Sequence, residues 1–276
     1  MKPIPLLVLA AILLPACAIP GDAAWSDLHA SAFGSAYATS FEVGATGITV
    51  NDSSGGGVDF SGDLDLESNT STALYYGARL GFAPLELSVS QFGYDESNDG
   101  VVSSGSEFGG TPISGDLDVK SEMDMSVTKV MLGLDIINTS VFRIGLMAGL
   151  DYLELDQFDL IAQESQGPGF VQAGDRQTIL ESQSIPLPLL GIRGDVALPF
   201  GTRLGAEVTG MTFNYDDSDL LMLDWDVAAH WEPFSNVEVM VGFRAVKVEL
   251  DGEVDGTVLD MEMDFQWPYA GITVYI

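Results

Sequence analysis

The chain has 276 residues, a formal net charge of −31, a pI near 4.1 and two histidines. Its 46% hydrophobic content and mean hydropathy of +0.23 exclude a disordered acidic chain. Ten Lys and Arg against 41 Asp and Glu argue against nucleic-acid binding, so the apolar surface must be buried or face lipid.

Residues 1–24 read as an export signal: Met1-Lys2, an apolar run from Ile4 to Leu14, then small residues. That run is shorter than the roughly 20 apolar residues of a membrane-spanning helix. No later run approaches that length, which excludes a helical inner-membrane protein. Cys17 is the single cysteine. Leu14-Pro15-Ala16-Cys17 resembles a lipoprotein box, while Ala16-Cys17-Ala18 is also an acceptable cleavage site, so lipidation and removal both fit. Either way the mature domain, residues 25–276, has no disulfide.

From there the chain alternates apolar and polar residues over stretches of about ten, the pattern of a lipid-facing barrel wall. Ten strands are expected, roughly at 37–50, 72–82, 84–94, 122–137, 140–155, 185–198, 202–214, 219–232, 236–250 and 258–276. An eight-strand count also fits, because the small-residue stretch Ala24 to Ser40 reads equally as linker, helix or strand. The alternation is plainest from Leu221 to Glu232: Leu221, Leu223, Trp225, Val227, Ala229 and Trp231 share one face, and Asp224, Asp226 and His230 the other.

Tight turns are expected at Phe82-Ala83-Pro84, Ile137 to Ser140, Pro199 to Thr202 and Pro233 to Asn236. Longer polar segments lie between them, at about 51–71, 95–121, 156–184, 214–219 and 250–257. Short inner turns and long outer loops are what a closed antiparallel transmembrane β-barrel with both termini in the periplasm requires. Two strands change phase: Met123, Met125 and Val127 against Val130, Leu132, Leu134 and Ile136, and Leu259 to Phe265 against Ile272, Val274 and Ile276. Either a one-residue bulge flips the face, with Pro268 a place for it, or the outer parts project above the membrane and pack differently.

Charge follows the strand parity. Six of the nine basic residues after Lys2 fall on the inward face: Arg79, Lys129, Arg143, Arg193, Arg203 and Arg244. Glu42, Glu86, Asp135, Asp151, Asp195, Glu207, Asp224, Asp226 and Glu238 share it. A barrel of eight to ten strands has little interior beyond its side chains, and buried charges must be paired, so these are expected to fill the lumen. A cation-conducting pore is the competing reading. The excess acid goes outward, in the repeat Ser61-Gly62-Asp63-Leu64-Asp65-Leu66-Glu67-Ser68 and Ser114-Gly115-Asp116-Leu117-Asp118-Val119-Lys120-Ser121, with Asp216, Asp217, Asp219, Asp260, Glu262 and Asp264 in comparable places. Such carboxylates are either a solvated rim or a place for divalent cations beside lipopolysaccharide; they lack the ligand spacing of an EF-hand.

The final residues Tyr269, Gly271, Val274 and Ile276 resemble the closing strand of bacterial outer-membrane barrels, which implies recognition by the barrel assembly machinery; Ile276 stands where Phe or Trp is more usual. An Asp pair at the outer rim, here Asp63 and Asp65, resembles half of the omptin protease site, which also needs an Asp and His pair there. His29 and His230 are placed near the other end, and no Ser and His pair suggests a lipid-modifying enzyme. No catalytic, cofactor-binding or metal residues and no cofactor are therefore expected. Ser114 to Asp118, Ile185-Pro186-Leu187-Pro188-Leu189-Leu190-Gly191, Leu198-Pro199 with Gly205-Ala206-Glu207, and Trp267-Pro268-Tyr269-Ala270-Gly271 resemble an uncharacterised family of small proteobacterial outer-membrane β-barrels, over about residues 60–276. The resemblance implies the fold and an outer-membrane location, and no activity. The sequence reading is a non-enzymatic outer-membrane barrel for envelope structure or limited small-molecule passage. The alternatives are a cation-preferring porin-like channel and a lipocalin-like carrier, which would put its apolar face inward.

Overall fold

A computed structural model describes residues 28–51, 58–66, 71–167, 170–215, 218–254 and 257–276. The expected export signal, with Cys17, lies outside these residues, as do Asp216 and Asp217 and the side chains of Glu42 and Asp260. Among the described residues the elements are β1 (Leu28–Asn51), β2 (Val58–Leu66), β3 (Ser71–Phe82), β4 (Leu85–Val102), β5 (Glu107–Phe108), β6 (Thr111–Pro112), β7 (Leu117–Asn138), β8 (Phe142–Ala162), β9 (Arg176–Leu198), β10 (Thr202–Tyr215), β11 (Ser218–Phe234), β12 (Val237–Val254) and β13 (Thr257–Tyr275).

Ten of these form one closed antiparallel ring in the order β1, β3, β4, β7, β8, β9, β10, β11, β12, β13, and β13 pairs back onto β1 from Ser31↔Tyr275 to Thr49↔Val258. The four tight turns stand where the Pro, Asn, Ser and Gly residues place them. The first strand begins at Leu28 rather than near residue 37. Its alternation is hard to read because one face carries only Ala30, Ala32, Gly34, Ala36 and Ala38, opposite Ser31, Phe33, Ser35 and Tyr37.

All five segments expected to be loops are partly strand. The short strand β3 covers only the inner part of the wall, pairing with β1 from Leu28↔Phe82 to Thr39↔Ser71. Farther out β2 takes its place, pairing with β1 at Val43↔Leu66 and with β4 at Leu64↔Val102. The strands β4, β7, β8 and β9 likewise run well past their expected outer ends, and β5 and β6 form a small hairpin against β2.

Polarity reverses along the strands with no change of face. On β7 the exposed Val130, Leu132, Leu134 and Ile136 alternate with buried Lys129 and Met131; farther out, Met123 and Met125 are buried on the same odd-numbered, inward side. On β13 the outward Ile272 and Val274 face buried Thr273 and Tyr275, while Phe265, Trp267 and Tyr269 continue the inward side. The β12–β13 register runs unbroken from Val237↔Val274 to Val254↔Thr257, so there is no bulge at Pro268. The projecting part simply packs like a water-soluble barrel: apolar side chains point in, and outward positions carry exposed Asp95, Glu262 and Asp118. A real bulge lies on β8, where Met125 pairs with Leu155 and Asp124 with Gln157, skipping Asp156. It moves the buried face from Leu155 to Phe158, Leu160 and Ala162.

The acidic repeat belongs to this outer tier. Leu64, Val102 and Leu117 align across β2, β4 and β7, as do Leu66, Gly100 and Val119. The two copies therefore flank β4 symmetrically, with leucine or valine inward and Asp63, Asp65, Asp116 and Asp118 exposed. The lipocalin-like arrangement is thus confined to the outer tier, since the inner wall exposes Leu132, Leu146, Leu190 and Ile192.

This boundary predicts an asymmetric response to one cation. Leu132→Arg, on the lipid-facing band, should cost about 2–4 kcal/mol near the bilayer midplane, whereas Asp95→Arg above it should stay within about 0.5 kcal/mol. Denaturant unfolding in lipid vesicles checks both.

Candidate functional site

The lumen holds the chemistry of this barrel, because inward positions of the lipid-level wall carry nearly all the cationic side chains. All six basic residues expected there point inward, and so do Glu86, Asp135, Asp151, Asp195, Glu207, Asp224, Asp226 and Glu238. They sort into two layers.

The layer nearest the short turns, the periplasmic end of such a barrel, sets Arg79, Arg143, Arg193 and Arg203 against Glu86, Asp135, Asp195 and Glu238. Arg143 on β8 donates to Asp195 Oδ2 at 2.8 Å and to Glu86 Oε2 at 3.2 Å. Arg193 on β9 reaches back to Glu86 on β4 and donates to Asp135 Oδ1 at 2.6 Å. Arg203 on β10 pairs with Asp195 and donates to Glu238 Oε2 at 2.9 Å. The two histidines close the layer: His29 Nε2 lies 3.4 Å from Glu86, and His230 Nδ1 lies 2.7 Å from Glu238. Four arginines and four carboxylates balance.

Glycine makes room for these side chains. A Cβ at Gly133 would stand 2.8 Å from the Arg193 guanidinium carbon, and one at Gly242 would meet the Tyr269 ring at 2.5 Å. Inward glycine therefore marks places where a neighbouring long side chain lies flat on the wall.

The middle layer contains Lys129, Arg244, Asp151, Glu207, Asp224 and Asp226. Lys129 Nζ on β7 crosses the lumen to Asp224 Oδ2 on β11 at 2.7 Å and to Thr209 Oγ1 on β10 at 2.8 Å. Arg244 grips the same Asp224 through two nitrogens, at 2.9 and 2.6 Å, and its guanidinium lies 5.0 Å from the Tyr75 ring centroid. Tyr269 OH donates to Asp226 at 2.8 Å. Asp151 breaks the expectation that buried charges are paired: it is fully buried, yet neither carboxylate oxygen has a hydrogen-bond partner.

Above these layers an aromatic floor lines the lumen. Phe92 and Trp267 stack at 4.9 Å, Tyr37 packs on both at 5.5 Å, and Tyr37 OH donates to the Gly93 carbonyl at 2.6 Å. The apolar core of the outer tier, including Leu66, Val102, Phe108, Leu117, Val119, Leu160 and Val171, continues upward from it. Cavities among the charged layers measure about 60 and 40 Å³. A wider vestibule of about 380 Å³ at the periplasmic mouth reaches Arg203 and Glu238.

Outside, two of the three remaining cations are held by acids. Lys247 sits between Glu249 at 2.8 Å and Glu262 at 2.5 Å, and those contacts keep its ammonium group well above the ordinary lysine range. Arg176 spans Asp159 and Glu122 in the same way, with Asp159 the main cause of its raised value.

Sequence parity located the six inward cations, but it missed Thr209 as a ligand of Lys129 and the aromatic floor; Tyr37, Phe92 and Trp267 carried only an inward parity as signal. The half-omptin arrangement does not assemble. Asp63 and Asp65 are exposed on the outer wall, whereas His29 and His230 line the periplasmic layer with Glu86 and Glu238. Among the described residues no group of three or more His, Cys, Asp or Glu is placed to hold a metal ion.

No family model matches the chain, and no curated protein matches it. Among solved structures it is similar to the outer membrane protease OmpT from Escherichia coli, with a TM-score of 0.54 and 13% identity over 90% of this chain and 97% of that one. The translocator domain of autotransporter NalP from Neisseria meningitidis also matches, with a TM-score of 0.44 and 11% identity over 89% of this chain and 88% of that one. So does outer membrane protein AlkL, with a TM-score of 0.39 and 12% identity over 95% and 97%. At such identity the OmpT likeness shows the fold alone, and the two lower scores add no argument. Closure of the ring together with an apolar outer belt places the chain in the outer membrane.

Arg193 tests the periplasmic layer. Removing it in Arg193→Ala leaves Glu86 and Asp135 short of a buried partner, which should cost about 3–5 kcal/mol. A matching fall in unfolding midpoint, read from the heat-modifiable gel shift and from denaturant titration, is the expected result.

Proposed function

We propose that this chain is a sealed, non-enzymatic outer-membrane barrel that serves envelope structure, with passage limited at most to small molecules, and that presents an acidic surface above the outer leaflet. The observation that carries this reading is the set of bonds that cross the lumen. Lys129 and Asp224 stand four places apart in a ring of ten strands, so their 2.7 Å contact runs close to a diameter. Glu86 to Arg193 is a second chord, and the stacked Phe92 and Trp267 lie across the path above both. The absence of any His near Asp63 and Asp65 supports the non-enzymatic part of the reading.

The resemblance to an uncharacterised proteobacterial barrel family fits this role and adds no activity. We take β13, which closes the ring, as the strand that the assembly machinery recognises. The outward carboxylates face the lipopolysaccharide layer as a diffuse surface charge. Asp65 and Asp118 flank Val101 of β4, and among the described residues no group of three or more His, Cys, Asp or Glu side chains converges to hold a cation.

A cation-preferring channel is the second reading, favoured by the excess of carboxylates in the middle layer. Planar-bilayer recording separates the two. The refolded protein should show no steady conductance, and a large steady current selective for potassium over chloride would overturn the sealed reading.

A further inference from the structure

Asp151 stands apart from every other carboxylate in the lumen, each of which has a hydrogen-bond or ion-pair partner. It sits on β8 directly opposite Lys129 on β7 in the register, yet the lysine ammonium turns away to Asp224, Thr209 and Glu207. The carboxylate instead lines a cavity of about 30 Å³ with mostly apolar walls, among them Leu153, Leu187, Met222 and Phe92. Trp267 lines the same cavity, and its buried Nε1–H also lacks a partner. The two residues line it from β8 and β13, on opposite sides of the ring.

Charge makes the same point. Facing Asp151 are Lys129 from β7, Arg244 from β12, Asp224 from β11 and Glu207 from β10, with Ser90 of β4 and Tyr75 of β3 also on the cavity wall; the nearby β13 and β9 wall residues are uncharged. With Asp226, the layer has four carboxylates against two cations, whereas the layer beneath it balances. An ionised carboxylate without a hydrogen bond is among the costliest groups to bury, and protonation removes most of that cost.

We propose that Asp151 is a binding site for one proton, so that it is a neutral acid in the folded barrel. The proton comes from solvent and forms an O–H bond on one carboxyl oxygen, with no other bond made or broken. The cavity shares Lys129, Arg244 and Tyr75 with the 60 Å³ cavity below it.

Infrared spectroscopy of the whole folded protein in detergent at pH 7 tests this, and its readout does not depend on whether the barrel conducts. The wild type should show a carboxylic-acid C=O stretch that Asp151→Asn loses, and Asp151→Asn should unfold at the same denaturant concentration as wild type or higher. Trp267→Phe, which leaves the carboxyl in place, should keep that band. If Asp151→Asn does not fold, the comparison uses Asp151→Glu, which should move the band without abolishing it. Absence of the band from the wild type, or a band unchanged by every variant, overturns the proposal. A melting temperature raised by sodium or potassium chloride relative to N-methylglucamine chloride, and lost in Asp151→Asn, would also overturn it in favour of a bound metal cation.

Discussion

In a bilayer every backbone N–H and C=O must be satisfied within the protein, and for strands the only solution is a sheet without edges. The pairing of β13 with β1 supplies that closure, from Ser31↔Tyr275 outward. Once the ring is closed, each side chain has two destinations, the lumen or the surroundings, and strict alternation assigns it to one. What then differs along a strand is the medium outside. Where the outside is lipid, Leu132 and Ile192 face it and Lys129 and Arg193 go in. Where the outside is water, Met125 and Phe265 go in and acids face out. A single backbone thus carries two opposite polarity patterns, joined near Pro268 on β13 and Val127 on β7.

The lumen of the lipid-level part inherits the cost of this arrangement. Charges there are far from bulk water, and a lone one would be expensive, whereas removing one partner from a made pair is costlier than never having built it. Multidentate sharing is the solution: Glu86 serves Arg143 and Arg193, Asp195 serves Arg143 and Arg203, and Asp224 serves Lys129 and Arg244. Inward glycines such as Gly133 and Gly242 are part of the same solution, because a flat guanidinium or phenol needs a stretch of wall without a Cβ. The aromatic floor of Tyr37, Phe92 and Trp267 then separates this charged interior from the greasy one above it.

Much of this was legible in the sequence, for a definite reason. Period-two alternation reports which residues share a face, and the turns at Pro199 and Pro233 report where strands end, so the ring and its six inward cations could be placed. Alternation does not report the medium. The phase change at Met123 to Ile136 therefore read equally as a bulge or as emergence from the membrane, and only the unbroken register of β4 and β7 decides for emergence. The outer repeats looked like loops because their acids are as dense as in a loop, although Leu64 and Leu117 alternate inward. The pairing of Lys129 with Asp224 rather than with its cross-strand neighbour Asp151 was out of reach, since chords across a barrel depend on curvature that no local pattern records.

The distribution of the −31 charge follows from these two media. The lumen holds six of the nine basic residues after Lys2 and only eight of the 41 acids among its described side chains, because a low-dielectric interior tolerates little imbalance. Water tolerates a great deal, so the excess acid accumulates on the outer tier, where Lys120, Arg176 and Lys247 are the only cations of the described chain outside the lumen. Carboxylates at the outward positions of β2, β7 and β13 cost little in stability and discourage sheet-to-sheet association between projecting barrels. The acidity of the chain is therefore a property of its water-facing outer wall, while the lumen stays within two charges of balance, and the imbalance that remains falls in the layer where Asp151 has no partner.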